Sequence, residues 1–264
     1  MYAFEFHRPT SLSEVTSLLQ SKPEAKLLAG GHTLIPTLKQ RLAQPSDLID
    51  LGRVQELKGI REEGGRLVIG AMSTHGEVMR SDVVRRVIPG LADLAGWVGD
   101  AQVKNLGTIG GSIANNDPAA DYPAAVVGLK ATVKTNQREI PGDDFFPGMF
   151  ETALEEGEII TAVIFPKPER CAYMKFPNPA SRYAIVGVMV AQTGGETRVA
   201  VTGAGPSVFR LQDFEQALAS NFSPDAIKDL SVSSTDLNSD IHASAEYRAH
   251  LVKVMAQRAV KKAR

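Results

Sequence analysis

The sequence predicts an α+β fold, in which helices and strands are mixed along the chain without the regular alternation of a βαβ protein. Amphipathic helical patterns and short strand patterns follow one another irregularly from one end of the chain to the other. The chain has 264 residues, of which 43% are hydrophobic and 22% are charged. This composition is typical of a folded globular protein, and the length allows one large domain or two ordinary ones.

The first fifty or so residues predict a small α/β lobe. Ser11 and Glu14 have the spacing of a capping box at the start of an amphipathic helix. Pro36 is compatible with a second helix because it falls near the first turn. The predicted elements are a helix from residue 12, a strand over 26–28, a helix over 33–42 and a strand over 48–51.

The middle of the chain predicts a larger mixed region. Thr74 and Glu77 repeat the capping-box spacing ahead of another helix. Asn136 and Gln137 separate two strand patterns and predict a hairpin. The predicted elements are a strand over 66–71, a helix from 74 to about 80, a helix over 83–98 interrupted at Pro89-Gly90, hairpin strands over 131–135 and 138–140, and a strand over 158–165.

Pro166 and Pro168 interrupt the periodicity and mark the best candidate for a domain boundary. Beyond them the pattern predicts two strands joined through Gly194-Gly195, followed by helices. These elements cover 184–191 and 198–201 for the strands and 209–219 and 247–260 for the helices.

Charge and cysteine content exclude several classes of function. The chain carries 29 Lys and Arg against 30 Asp and Glu, a formal net charge of -1. This balance does not favour a dedicated nucleic-acid binder. The single cysteine, Cys171, cannot form an intrachain disulfide, ligate an iron–sulfur cluster or build a thiolate zinc site. The N-terminal residues lack the pattern of a secretory signal, so we expect a cytoplasmic protein with no metal site of its own.

Two glycine-rich segments are the strongest candidates for a binding site. They run from Leu28 to Thr33 and from Gly107 to Asp117, and each places paired glycines beside a hydroxyl residue. Glycines let backbone N–H groups converge on an anion such as a phosphate. One such segment alone is more often only a tight turn. The presence of two indicates a diphosphate held from two lobes, as in a bound dinucleotide.

Other motifs are weaker. The P-loop pattern is absent, and Gly203-Ala204-Gly205 lacks the third glycine of a Rossmann fingerprint because Val208 stands there. From spacing alone, Asp117 and Asp121 favour a helix N-cap and a first-turn acid over contacts to a ribose hydroxyl. Lys175 and Arg182 read, again from spacing alone, as solvated surface cations.

The ordered set of motifs resembles the FAD-binding medium subunit of molybdenum hydroxylases, the family that includes carbon monoxide dehydrogenase and xanthine dehydrogenase types. The resemblance covers nearly the whole chain. The segments that carry it are Ala29-Gly30-Gly31-His32-Thr33, Gln102-Val103-Lys104-Asn105, Thr108-Ile109-Gly110-Gly111-Ser112, Asn116-Asp117-Pro118-Ala119-Ala120-Asp121-Tyr122-Pro123, Glu158-Ile159-Ile160, Ala180-Ser181-Arg182-Tyr183-Ala184 and Ala245-Glu246-Tyr247-Arg248.

This resemblance implies a two-lobed FAD-binding fold of the vanillyl-alcohol oxidase (PCMH) type followed by a small C-terminal α/β domain. The implied division is 1–57 for the first FAD-binding lobe, 58–168 for the second and 169–264 for a C-terminal domain of the carbon monoxide dehydrogenase flavoprotein type.

The resemblance also implies the cofactor and its contacts. Both glycine segments would bind the FAD pyrophosphate, Asp121 would lie near the adenosine part, Ile160 and Lys175 would line the flavin, and Tyr183 would lie near the isoalloxazine. No catalytic side chain is implied. The implied FAD-binding residues are Leu28, Ala29, Gly30, Gly31, His32, Thr33, Leu34, Val103, Gly107, Thr108, Gly110, Gly111, Ser112, Ala114, Asp117, Ala120, Asp121, Ile160, Lys175 and Tyr183.

The implied role is electron transfer within a larger enzyme. Electrons would come from a molybdenum cofactor on a large subunit, pass two 2Fe–2S clusters on a small subunit, reach FAD on this chain and leave to an external acceptor such as a quinone, NAD or oxygen. The expected assembly is a dimer of heterotrimers. A free-standing FAD oxidase of the same flavin fold is an alternative, although 170–264 is short for a substrate domain. A glycine-loop binding module without a redox role is a third possibility.

Overall fold

Three β-sheets follow one another along the computed structural model, which describes residues 1–264. The first sheet is parallel and three-stranded, in the order β1-β3-β2. Its helices connect the strands in sequence, as parallel pairing requires. The elements are β1 (Glu5–His7), α1 (Leu12–Ser21), β2 (Lys26–Leu28), α2 (Leu34–Lys39) and β3 (Asp47–Asp50), followed by short 3-10 turns at Leu51–Arg53 and Gln55–Leu57.

The second sheet is antiparallel and five-stranded, in the order β4-β5-β8-β6-β7. Six helices are inserted in the chain between β5 and β6. The strands are β4 (Ile60–Glu63), β5 (Arg66–Gly70), β6 (Thr132–Thr135), β7 (Glu139–Pro141) and β8 (Ile160–Pro166). The inserted helices are α3 (His75–Arg80), α4 (Asp82–Val87), α5 (Pro89–Trp97), α6 (Ala101–Leu106), α7 (Ile109–Asn115) and α8 (Tyr122–Gly128).

The third sheet is antiparallel and four-stranded, in the order β12-β11-β10-β9. Two helices follow it, and none of the helices of the chain is both long and apolar enough to cross a bilayer. The elements are β9 (Arg170–Pro177), β10 (Ala184–Thr193), β11 (Glu196–Thr202), β12 (Phe209–Arg210), α9 (Gln212–Ser220) and α10 (Ala245–Lys262), with a 3-10 turn at Pro224–Ile227.

The third sheet is buried on both faces. Side chains of one face, including Tyr173, Met189 and Ala200, belong to the same hydrophobic cluster as the helices of the middle region. Side chains of the other face, including Val188 and Val201, form a second cluster with α9 and α10. The C-terminal region is therefore joined to the middle region by a shared core.

Several predicted elements are confirmed. Thr74 and Glu77 form a complete capping box at α3. The hairpin across Asn136-Gln137 is present as β6 and β7, and the strands joined through Gly194-Gly195 are β10 and β11. The strands predicted over 26–28, 48–51, 66–71 and 158–165 are present within two residues of their expected ends.

The interruption predicted at Pro89-Gly90 within 83–98 is confirmed, because Pro89 starts α5 as its first residue and Ile88 leaves the helical conformation. Two other predicted helices are wrong in extent. The helix predicted from 209 begins at Gln212, since Phe209 pairs with Val201 in the sheet. The helix predicted over 33–42 covers only Leu34–Lys39.

Candidate functional site

The first glycine segment leaves a row of backbone donors free. It connects β2 to α2, and Gly31 has a φ of 73°. The backbone N–H groups of residues 30–34 donate no hydrogen bond within the chain, and the Thr33 hydroxyl donates none either. Consecutive unpaired N–H groups at a strand-to-helix turn form a concave positive surface that suits a phosphate.

The second glycine segment is built differently. The N–H groups of residues 109–112 all have partners within the chain: Ile109 donates to the Ser73 carbonyl at 3.1 Å, Gly110 to the Ala71 carbonyl at 2.9 Å, and Gly111 and Ser112 to Thr108. The expectation that these groups converge on an anion is therefore wrong. The glycines serve close packing instead, because a Cβ at Gly110 would lie 2.7 Å from the Ala71 carbonyl oxygen.

The two glycine segments meet. A Cβ at Gly30 would overlap the Leu106 carbonyl oxygen and lie 2.7 Å from the Gly107 Cα, so only glycine allows this approach. Gly111 faces the Ala29 side chain. A shared diphosphate requires the two segments to lie on one side of the molecule, and they do.

A buried ion pair involves Asp121, the last residue of the aspartate loop at 117–121. The Lys175 ammonium donates to the Asp121 carboxylate at 2.9 Å, and the Tyr173 hydroxyl donates to the second oxygen of the same carboxylate at 2.5 Å. Lys175 is 4% exposed and Asp121 is 5% exposed. The reading of Lys175 as a solvated surface cation is therefore wrong, whereas Arg182 is exposed as expected.

The aspartates do not cap a helix as the spacing favoured. Asp121 precedes α8, but its side chain makes no capping hydrogen bond. Asp117 accepts the Ala119 N–H at 2.8 Å and closes a tight turn instead. Their loop is tied to the third sheet, because the Ala184 N–H donates to the Ala119 carbonyl and the Gly203 N–H donates to the Pro118 carbonyl.

Burial and neighbouring charges shift the pKa values of Asp121, Tyr173 and Tyr183. Burial raises the pKa of Asp121, and the adjacent Lys175 ammonium and Tyr173 hydroxyl oppose that rise. Burial raises the pKa of Tyr173, and the Asp121 carboxylate raises it further. Burial also raises the pKa of Tyr183, with smaller effects from Asp117 and Asp121. The Tyr183 side chain is half-exposed, and the next residue, Ala184, is bonded through its N–H to the Ala119 carbonyl of the aspartate loop.

The remaining predicted residues lie in β8, in α6 and in the aspartate loop. Ile160 begins β8, whose next residue, Thr161, accepts the Ala71 N–H beneath Gly110. Val103 lies in α6, and Ala120 lies buried in the aspartate loop. The predicted residues fall in three stretches, 28–34, 103–114 and 117–121, together with Ile160 at the start of β8, Lys175 in β9 and Tyr183 just before β10.

Sequence reasoning missed His75. Its ring lies against Gly107, where a Cβ would come within 2.6 Å of the imidazole Nε2, and it packs at a tilt of 34° against Tyr122 with ring centroids 5.3 Å apart. Burial lowers the pKa of His75 to about 4, and His32 and Lys104 contribute to the decrease. The capping box at Thr74 placed this histidine at a helix start, but no sequence signal placed it beneath the second glycine segment.

The geometry fits a dinucleotide. A free row of N–H groups suits the diphosphate, while the Asp121–Lys175 pair and the half-exposed Tyr183 ring lie beside the aspartate loop that follows the second glycine segment. Bound FAD would supply the redox chemistry. The chain's own groups would bind the cofactor, orient it and set the charge around it.

Comparison with known proteins identifies the family. Residues 2–168 match the family model described as the FAD binding domain in molybdopterin dehydrogenase, and residues 171–263 match the CO dehydrogenase flavoprotein C-terminal domain.

Individual relatives agree. The chain is 36% identical to the carbon monoxide dehydrogenase medium chain of Hydrogenophaga pseudoflava, over 97% of this chain and 96% of that protein. It is 34% identical to the nicotine 6-hydroxylase medium subunit of Paenarthrobacter nicotinovorans, over 98% and 96%. The crystal structure of quinoline 2-oxidoreductase from Pseudomonas putida 86 superposes with a TM-score of 0.89 at 31% identity, covering 99% of this chain and 96% of that one. The chain therefore belongs to the FAD-binding subunits of the molybdenum hydroxylase family, the flavoprotein components of multi-subunit oxidoreductases.

Proposed function

We propose that this chain receives electrons from two 2Fe–2S clusters on a small partner subunit and passes them, through its FAD, to an external acceptor. The substrate would be oxidised at a molybdenum cofactor on a large partner subunit. The observation that supports this proposal best is the contact between the two glycine segments, which brings them together as the two sides of one proposed cofactor site. The single cysteine supports it as well, because the clusters need thiolate ligands from another chain.

The diphosphate is proposed to lie against the free N–H groups of residues 30–34. The hydroxyls of Thr33 and Ser112 would add donors from the two segments, since neither donates a hydrogen bond within the chain. Gly107, Gly110 and Gly111 would contribute by letting the second segment approach closely. The further proposed contacts are Leu28, Ala29, Val103, Thr108, Ala114, Asp117, Ala120 and Ile160.

Asp121, Lys175 and Tyr183 are proposed to lie at the isoalloxazine end. Asp121 and Lys175 are 2.9 Å apart, so they cannot serve opposite ends of an extended dinucleotide. The resemblance implied the adenosine part for Asp121 and the flavin for Lys175. The ion pair favours one shared location, and the neighbouring Tyr183 ring supports the flavin end.

The proposed domain organisation follows the sheets. The first sheet lies within 1–57, the second within 58–168 and the third within 169–264. The relatives named above are medium subunits or chains of larger enzymes. For this chain we propose a dimer of heterotrimers with the large and small partners. A reducing cytoplasm is the compartment that its single, buried Cys171 supports.

Co-purification tests the assembly. The tagged chain is purified from its native cell, and the attached subunits, flavin, iron and molybdenum are quantified. We expect two partner subunits, with about four iron atoms and one molybdenum for each FAD. A chain that carries FAD and no partner would instead favour the free-standing oxidase.

Reduction by substrate separates the same two functions. The absorbance of bound FAD is followed after addition of an oxidisable substrate under anaerobic conditions. We expect bleaching only in the complex, because the isolated chain offers no site for substrate oxidation. Bleaching of the isolated chain by substrate would overturn the proposed function. Absence of any flavin after denaturing release would leave only a binding module.

A further inference from the structure

We propose that Tyr173 is a positioning residue: it holds the Asp121 carboxylate, which in turn fixes the charge and position of the Lys175 ammonium beside the flavin. Gly187 belongs to the same arrangement, because the Tyr173 hydroxyl occupies the space that a side chain at position 187 would need. The inference rests on the proposed location of Lys175 at the isoalloxazine end. It adds two residues, Tyr173 and Gly187, that neither the motifs nor the predicted site contained.

The strand β9 presents both donors to one carboxylate. Tyr173 and Lys175 are two residues apart, so their side chains lie on the same face of the strand. Each takes a different oxygen of Asp121. The carboxylate is thus held at two points and cannot rotate without losing a hydrogen bond in a buried site, which is costly.

Lys175 retains one donor. Its ammonium has three N–H bonds, of which one goes to Asp121 and one to the Trp97 carbonyl at 3.3 Å. No other group of the chain accepts from it, although its side chain is fully buried. Because the side chain has no exposed surface, the charge of the Lys175 ammonium would act on a nearby flavin through space rather than through a direct hydrogen bond.

Gly187 makes room for this arrangement. It pairs with Lys175 across β9 and β10, and a Cβ at Gly187 would overlap the Tyr173 hydroxyl oxygen. A methyl group at this position would also lie 2.9 Å from the Thr202 Cγ2. The strand would favour a β-branched residue here. The glycine is explained by the hydroxyl that passes over it.

Of the charged groups near the site, Asp121 is the one that balances the positive charge of Lys175. Burial lowers the pKa of Lys104, the positive charges of Arg182 and Lys175 lower it further, and the negative charge of Asp121 raises it. Asp117 and Asp121 both act on Tyr183. Among these groups, only Asp121 contacts the Lys175 ammonium directly. Any change that lets Asp121 take up a proton therefore leaves Lys175 uncompensated.

The expected effect is on the flavin's reduction potential. Adding electrons to bound FAD adds negative charge, which a nearby ammonium favours and its paired carboxylate opposes. Tyr173→Phe removes a hydrogen bond that favours the charged form of Asp121. The Asp121 group then carries less negative charge to offset the Lys175 ammonium, so the reduction potential of the flavin rises. We expect a shift equivalent to about tenfold in the reduction equilibrium, about 30 mV for a two-electron couple.

The test measures the midpoint potential of bound FAD in the full chain by anaerobic titration, together with the FAD content of each variant. Tyr173→Phe and Gly187→Ala are expected to raise the potential by similar amounts, because the added methyl displaces the hydroxyl. The double variant is expected to shift no further than either one. Asp121→Asn is expected to give a larger rise of the same sign.

Tyr122→Phe is the matched control. Tyr122 is also a fully buried tyrosine, adjacent to Asp121 in the chain, but its hydroxyl has no hydrogen-bond partner. Its removal is expected to leave the potential unchanged. Unchanged potentials in both Tyr173→Phe and Gly187→Ala, with normal FAD content, would overturn the inference.

Lys175→Met separates this inference from the function on which it rests. If that variant binds FAD and its potential is unchanged, Lys175 does not act on the flavin, and the proposed location of Lys175 is wrong. If Lys175→Met lowers the potential while the Tyr173 and Gly187 variants do not move it, the location stands and the positioning role of Tyr173 fails.

Discussion

At the scale of single residues, His75 is a buried titratable group that packs against the second glycine segment. Its imidazole is buried against Gly107 and Tyr122, and no group accepts from or donates to Nδ1. Burial lowers its pKa from 6.5 to about 4, and the charges of His32 and Lys104 act in the same direction. The folded protein therefore keeps this side chain neutral in mild acid, while the unfolded chain protonates it.

The sign of the pH dependence follows. Above pH 6.5 the His75 imidazole is neutral in both the folded and the unfolded state, so it adds nothing to the pH dependence of stability there. As the pH falls from 6.5 towards 4, only the unfolded state binds the proton, so stability is lost across that window. The loss attributable to His75 is at most about 3 kcal/mol. His75→Phe is expected to remove this part of the pH dependence, as measured by urea denaturation of the FAD-free chain at pH 7 and pH 4.

His250→Phe provides the control, because it makes the same replacement at an exposed position of α10. It is expected to keep the wild-type difference between the two pH values. An equal acid loss in the wild type and in His75→Phe would show that His75 is not the group that takes up the proton.

Lys175 illustrates what residue-level reasoning from sequence could not supply. The resemblance implied that it lines the flavin, whereas spacing alone predicted a solvated surface cation. Its partner, Asp121, lies 54 residues earlier in a loop, and the two meet only because the loop is tied to the third sheet. Pairing of this kind is a tertiary event that leaves no local pattern.

At the scale of elements, the contact between the glycine segments is the critical feature. Gly30→Ala places a methyl group onto the Leu106 carbonyl and the Gly107 Cα, which are backbone atoms and cannot move aside cheaply. We expect the first segment to shift and the chain to lose most of its FAD affinity, about tenfold or more. The measurement is a fluorescence titration of the FAD-free chain with FAD.

Gly96→Ala is the matched control for that substitution. Gly96 lies in α5, and a Cβ there would meet only the Met79 side chain, at an ordinary contact distance of 3.7 Å. It is expected to bind FAD as the wild type does and to be slightly more stable, since alanine favours helix. Wild-type FAD affinity in Gly30→Ala would contradict the proposed site.

Elements with strong local signals were predictable, and those without them were not. The capping box of α3 and the turns of the two hairpins rest on short-range chemistry, so sequence located them. The short strand β1 exists because it pairs with β3, forty-two residues away at Glu5 and Asp47. The helix α7 contains two glycines, which disfavour helix, and was predicted only as a binding loop.

At the scale of the whole molecule, the shared core joins regions that two separate family models describe. Cys171, Tyr173 and Met189 of the third sheet pack into the core of the middle region. Arg198 of β11 also donates to the Val127 carbonyl and to the Asp143 carboxylate. The boundary near Pro166 and Pro168 is a boundary in sequence but not in packing.

A fragment of residues 1–168 tests this view. Without the third sheet, the apolar faces of α5 and α8 would be exposed to water. We expect the fragment to bind a hydrophobic dye and to aggregate, as followed by light scattering, while the full chain does neither. A monodisperse fragment that unfolds cooperatively would show that the third sheet is dispensable for the core.

Hydrogen exchange tests the central claim most directly, because the two glycine segments differ in how their N–H groups are used. Amide exchange of the FAD-free full chain is compared with that of the FAD-bound chain. We expect the amides of residues 30–34, which have no partner in the chain, to become strongly protected when FAD binds, and those of residues 109–112, already bonded, to change little. FAD binding that leaves residues 30–34 unprotected would contradict the assignment of the diphosphate to the first glycine segment.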